Sequence, residues 1–141
     1  MLFRSRNFII YLDHGTDKSW WGVLSYNQIP WLDLSLSIGV ACSNNNYWTS
    51  GASNFGVNMI RRGAIMFIGS AGIGHGLMLE EPSLKPLMRK LTEDNNADLG
   101  DLYNLSPYGL SIFGNLILLV EFYYNMLGDP VLQPKFKSVN W

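Results

Sequence analysis

His14, His75 and Cys42 are the only imidazoles and the only thiol among the 141 residues. A thiol beside an imidazole is the smallest equipment for attack on a carbonyl, because the imidazole takes the thiol proton and the thiolate is the nucleophile. His14 follows the apolar run "NFIIYLD", and Cys42 ends the next comparable run, "LSLSIGVAC", 42 − 14 = 28 residues later. If those runs are neighbouring strands of a parallel sheet, both groups reach the carboxyl edge, where open α/β sheets bind their ligands. Gly15 adds a third element. A residue without a side chain lets its backbone N–H approach a substrate oxygen, so the N–H groups of Gly15 and Cys42 form a candidate oxyanion hole. The competing reading is structural, a strand-end histidine and a small buried residue. One cysteine excludes an internal disulfide, and three nitrogen and sulfur ligands in all exclude the usual thiolate zinc cages.

The elements that must carry these groups follow from local pattern. Residues 7–13, 34–42 and 63–72 are short, β-branched apolar runs bounded by turn residues, the signature of strands buried on both faces of a parallel sheet. Between the second and third, residues 49–63 place Phe55, Met59 and Ile60 at helical spacing, with an Arg pair in the last turn and Gly63 as the stop. The connection from Thr16 to Asp33 is long enough for a crossover. Residues 73–108 read as a loop-rich insertion with a short helix near 84–91. Ser106-Pro107 opens a predicted helix to about Leu127, stopped by Gly128 and Pro130. Residues 130–136, bounded by prolines, can form only an edge strand. The order β-α-β-α-β, insertion, α, β predicts a single α/β domain over 1–141, a doubly wound, mainly parallel sheet of about four strands with flanking helices. An unblunted apolar edge at "FIIYL" predicts additional strands, from an earlier part of a longer polypeptide or from another chain, beside residues 7–12.

Composition narrows the partners. Apolar residues make up 48% and charged residues 15%, against about 25% charged in ordinary soluble domains, so part of the surface is expected to be covered. A net charge of −1 and no basic cluster beyond Arg61-Arg62 and Arg89-Lys90 argue against nucleic acid. The apolar segment 8–12 is too short for a signal peptide. The segment 110–127 is interrupted by Asn115, Glu121 and Asn125, which favours a buried amphipathic helix over a membrane span.

Four ordered motifs resemble the gingipain-type cysteine peptidases. "HGTDKSW" is similar to their histidine motif, with Thr16 and, six positions after the histidine, Trp20. "LSYNQIPWLDLSLSIGVACSNNNYW" resembles the segment leading into a strand ending Val-Ala-Cys. "NFGVNMIRRGAIMFIGS" resembles the following helix and strand, and "YYNMLGDPVLQP" the closing Leu-Gly-Asp-Pro turn. The resemblance covers most of residues 7–134, least between 77 and 106. It implies a caspase-like fold and a cysteine endopeptidase, a hydrolase acting on peptide or protein substrates through a thioester acyl-enzyme. His14 becomes the base or ion-pair partner, Cys42 the nucleophile and Gly15 an oxyanion donor. Gly69 to His75 becomes one wall of the P1 pocket, with Ser70 and His75 as substrate contacts. Trp48, close in sequence to Cys42, is a further candidate to line the cleft. No cofactor is required, and the family's structural calcium is admitted by the acidic stretch 93–98, although that stretch lacks the EF-hand spacing. Secretion or cell-surface display is implied by the same analogy. Asp13 stands where the family commonly has Gly, and Val57 where it often has an acidic residue. The strands preceding residue 7 in the family, and the acidic residue there that reads a basic P1 side chain, have no counterpart here, so P1 preference is unreadable.

Rival signals are weaker. His75 lies in "GHG" but follows the cysteine, the reverse of the family order. "GSAGIGHG" is neither of the standard phosphate loops. Trp20, Trp21, Trp31, Trp48 and Trp141 are expected to pack, although Trp48 lies close enough to Cys42 to line the cleft. The alternative functions are a non-catalytic caspase-like interaction domain and a small membrane-associated protein anchored by 110–127.

Overall fold

The computed structural model describes residues 8–72 and 124–131. Four strands make the main sheet: β1 (Phe8–Leu12), β5 (Leu36–Val40), β6 (Met66–Ser70) and β7 (Tyr124–Gly128), in the order β1-β5-β6-β7. β1, β5 and β6 run parallel, with Phe8 opposite Leu36 and Leu36 opposite Met66, and β7 closes the sheet antiparallel to β6. The architecture is therefore α/β with a mixed four-stranded sheet, consistent with a partial caspase-like fold.

The three parallel strands fall inside the runs read from the sequence. β5 and β6 are buried at every position, as an unbroken apolar run demands when no face meets water. β1 is the edge strand of the described sheet, and its Ile10 and Leu12 remain 36% and 43% exposed. The helical region resolves into α1 (Tyr47–Ser50), a 3-10 turn (Gly51–Ser53) and α2 (Phe55–Arg61). Asn54 caps α2, its Oδ1 accepting from the Val57 N–H at 3.1 Å, a contact type that stabilises a helix by about 1 kcal/mol. Phe55 and Met59 turn into the core, and Gly63, at φ 100°, ends the helical segment where the sequence reading put the stop.

Four expectations are corrected. The connection between β1 and β5 holds no helix; it contains a small antiparallel meander of β2 (Gly15–Thr16), β3 (Ser19–Trp20) and β4 (Leu24–Ser25). Trp20 anchors it, stacked on Tyr11 at 4.6 Å between ring centroids and tilted against Phe55 at 4.7 Å. The Asp17 carbonyl ties it to the start of α2 by accepting from the Phe55 N–H and from Asn54 Nδ2. The end of the helix expected over 106–127 is strand β7, because residues 124–128 pair with Met66–Ser70 at all five positions. A ladder partner for β6 outweighs the helical spacing. Pro130 and Val131 form a turn, not the start of an edge strand; the rest of 130–136, the residues 73–123, and with them the short helix near 84–91, lie outside the described residues. Finally, Trp21, Trp31 and Trp48 are exposed, whereas Trp20 is buried; each exposed indole lies in a turn, loop or single-turn helix beyond the main sheet. Among the described residues no helix is long and apolar enough to cross a membrane.

Candidate active site

The register of the sheet determines where the candidate groups arrive. Leu12 and Val40 are paired at the carboxyl ends of β1 and β5, and the Asp13 N–H carries the ladder one step further to the Val40 carbonyl at 3.2 Å. His14 and Cys42 each stand two residues beyond that last pair. The chain then crosses close over the neighbouring strand end. A Cβ on Gly15 would sit 2.7 Å from the Ala41 Cβ and 3.5 Å from the Cys42 carbonyl oxygen, so only glycine permits this approach.

The histidine side is held by its backbone. The His14 carbonyl accepts from the Trp21 N–H at 3.0 Å and from the Tyr11 hydroxyl at 2.8 Å. Burial, and secondarily the Asp13 charge, push the Tyr11 hydroxyl above the ordinary tyrosine pKa, which keeps it a donor. The Asp13 carboxylate accepts from the His14 backbone N–H at 2.7 Å. The exposed imidazole meets Trp21 edge-on at 5.8 Å, and Trp21 is itself 69% exposed, which makes it a wall beside the histidine.

The cysteine side is held by buried groups. Cys42 is half-buried, and Ser43 after it adopts the left-handed conformation at φ 55°. The Ser43 N–H donates to the Gly72 carbonyl at 2.7 Å and the Asn45 N–H to the Ser70 carbonyl at 2.8 Å. Asn44 and Asn45 are fully buried. Asn44 Nδ2 donates to the Gly39 carbonyl, Asn45 Nδ2 to the Asn125 carbonyl on β7, and the Gly56 N–H of α2 to the Asn44 carbonyl. The loop after the cysteine is therefore tied to β5, β6, β7 and α2 together.

The remaining candidates fall in three places. Ser70 is fully buried; its hydroxyl donates to the Gly72 carbonyl at 2.8 Å and accepts from the Gly72 N–H, so it knits the turn that follows β6. Trp48, on α1 and 62% exposed, meets Tyr47 edge-on at 4.7 Å. His75 and the acidic stretch 93–98 lie outside the described residues, and among those described no cluster of three or more His, Cys, Asp or Glu could hold a metal ion. Sequence reasoning missed Tyr11, Trp21, Asn44 and Asn45. For the asparagines the signal was the run Asn44-Asn45-Asn46 beginning two residues after the thiol, which reads as a solvated loop until its burial is seen.

The family model described as Peptidase family C25 matches residues 4–135. No curated protein and no solved structure matches the chain.

Proposed function

The chain belongs to peptidase family C25, the gingipain-type cysteine peptidases, and on that premise we propose that His14 and Cys42 are its catalytic dyad and that it hydrolyses peptide bonds through an acyl-enzyme. The observation that carries this reading is the strand register: two residues beyond the paired Leu12 and Val40, an imidazole and a thiol stand on adjacent strand ends with Gly15 pressed against Ala41 and Cys42.

His14 takes the Cys42 proton, and the thiolate attacks the carbonyl carbon of the scissile peptide. The N–H groups of Gly15 and Cys42 receive the oxyanion that develops. The tetrahedral intermediate collapses with cleavage of the C–N bond, and the imidazolium returns its proton to the leaving amine, which departs and leaves a thioester. His14 then takes a proton from water, the hydroxide attacks the thioester, and the acid is released with the thiol restored. Only protein groups and water enter these steps. Protein or peptide substrates lie across the carboxyl ends of β1 and β5, with the exposed Trp21, beside the histidine, and Trp48, after the cysteine, as candidate flanking contacts. Ser70 and His75 belong to the wall of the P1 pocket, Ser70 by holding the turn at Gly72. A further strand, from a longer polypeptide or another chain, pairs along β1; the exposure of Ile10 and Leu12 supports this. Secretion or cell-surface display follows by analogy with the family.

The test is labelling with a peptidyl acyloxymethyl ketone bearing Arg or Lys at P1, read by intact mass on wild type, His14→Ala, His75→Ala and Cys42→Ala. One adduct on Cys42 that is lost in His14→Ala and survives in His75→Ala is expected. A folded wild type whose Cys42 ignores the probe, in the presence of strands supplied along β1, would instead make the domain a non-catalytic interaction module.

A further inference from the structure

Cys42 is followed by a serine in a left-handed conformation and then by a fully buried carboxamide, and neither is an ordinary choice for a loop. A non-glycine residue persists at positive φ only where its surroundings over-determine it. A buried amide is unfavourable unless its polar atoms find partners. Asn44 meets that condition by half: Nδ2 donates to the Gly39 carbonyl at 3.0 Å, whereas Oδ1 has no hydrogen-bond partner among the described residues. A side chain there only to fill space would carry no such penalty, so packing alone does not account for the amide, whose Nδ2 serves the Gly39 carbonyl.

The strands beneath are shaped to the amide. Gly39 of β5 and Gly69 of β6 are register partners, each in the second half of a strand buried throughout. A Cβ on Gly39 would overlap Asn44 Nδ2, and a Cβ on Gly69 would overlap Asn44 Oδ1. Glycine within a strand weakens it by about 0.5–1 kcal/mol, so two facing glycines here are explained by what they admit: the Asn44 amide, which is the nearest group to both, together with the Phe67 ring and, at Gly39, the Trp20 indole. The backbone on either side of the amide is also committed, Ser43 to Gly72, Asn44 to Gly56 and Asn45 to Ser70.

We propose that Asn44 is a positioning residue for Cys42: its carboxamide, seated over Gly39 and Gly69, holds the left-handed turn at Ser43 and thereby aims the thiol and the backbone N–H of Cys42 at the scissile carbonyl. This rests on the reading of Cys42 as the nucleophile. The amide touches neither substrate nor reacting atom. It acts through the geometry of the turn.

Two electrophiles separate positioning from mere folding on the full chain. Iodoacetamide needs only a thiolate; the peptidyl acyloxymethyl ketone must also lie with its carbonyl in the oxyanion position. Second-order rate constants at Cys42 are measured by intact mass, as a function of pH, for wild type, Asn44→Ala, Asn44→Ser and the control Asn58→Ala, whose amide instead holds the Ala52 and Asn54 carbonyls. Asn44→Ala is expected to slow the ketone by about 10- to 100-fold, the scale of a small misplacement of a reacting group, while the iodoacetamide rate and its pH midpoint hold. Asn44→Ser, which keeps a hydroxyl beneath the turn, falls between and serves where the alanine variant does not fold. Asn58→Ala changes neither rate. Equal ketone rates in a folded Asn44 variant and wild type, or a parallel loss toward both reagents, overturn the proposal. A folded wild type that, with strands supplied along β1, reacts with iodoacetamide and not with the ketone overturns the peptidase reading first, and this one with it.

Discussion

The two arms of the candidate site are built in opposite ways. The histidine arm is exposed, leaves β1 at the sheet edge, and is held by its own backbone, the His14 carbonyl accepting from Tyr11 and Trp21 and its N–H donating to Asp13. The cysteine arm leaves the fully buried β5, and its loop is held by two interior asparagines that reach β5, β7 and α2. Interior close packing tolerates almost no displacement, whereas a surface turn bonded through its backbone adjusts at small cost. The thiol loop is thus the fixed reference of the pair, and the imidazole is the partner with room to move. Under the proposed mechanism, in which the imidazole accepts a proton from the thiol and later delivers it to a leaving amine, some freedom of the imidazole is useful. Freedom of the attacking sulfur is not.

The largest effect that tests this contrast is expected from Gly39→Ala. Its Cβ would overlap Asn44 Nδ2 and lie 3.0 Å from Trp20 Nε1 and 3.1 Å from the Phe67 ring, so urea unfolding should show a loss of about 3 kcal/mol, the upper end for overpacking. Adding Asn44→Ala should restore part of that loss, because the new methyl then has space; strict additivity of the two changes would sever the glycine from the amide. Next in size is Asn45→Ala, which removes the link to Asn125 and leaves that carbonyl without its donor, at about 2 kcal/mol. An effect below that of any histidine-arm substitution would break the comparison.

Smaller effects belong to the other arm. Tyr11→Phe deletes the donor to the His14 carbonyl and is expected to lower stability by about 1 kcal/mol at neutral pH. The same substitution carries a pH signature. The Tyr11 pKa is raised in the folded state, so its contribution is complete below the ordinary tyrosine value, about 10, and is lost as pH climbs through the higher folded value. Wild type should therefore lose more stability than Tyr11→Phe in that alkaline window; parallel curves would remove Tyr11 from the account. Asp13→Asn should be nearly silent, within about 0.5 kcal/mol by denaturant midpoint, because the amide Oδ1 still accepts from the His14 N–H. A substantial loss there would mean that the carboxylate charge, and not the hydrogen bond, holds the turn.

Legibility in the sequence followed the range of the interactions involved. Strands β1, β5 and β6 could be read because each is a local run of apolar residues ended by turn chemistry, and α2 because its buried Phe55 and Met59, its Arg pair and its stop lie within one short window. The meander between β1 and β5 escaped because two-residue strands leave no periodicity, and what places it is the docking of Trp20 and of the Asp17 carbonyl on groups far along the chain. Strand β7 escaped because the local pattern of residues 124–128 favoured a helix, while their partner, β6, lies more than fifty residues away.

By itself the sequence determined the α/β class, the three parallel strands and the arrival of one imidazole and one thiol at the same sheet edge, since a strand's length and its terminal residue are local properties. The tertiary structure alone decided how those two groups are held. It made β7 a strand, buried Asn44 and Asn45 beneath the thiol loop, matched Gly39 to Gly69 across two strands and set Trp21 against His14. Each of those outcomes depends on which atoms fill the space next to a residue, and an amide that looks solvated in a chain becomes a buried strut only when three elements close around it.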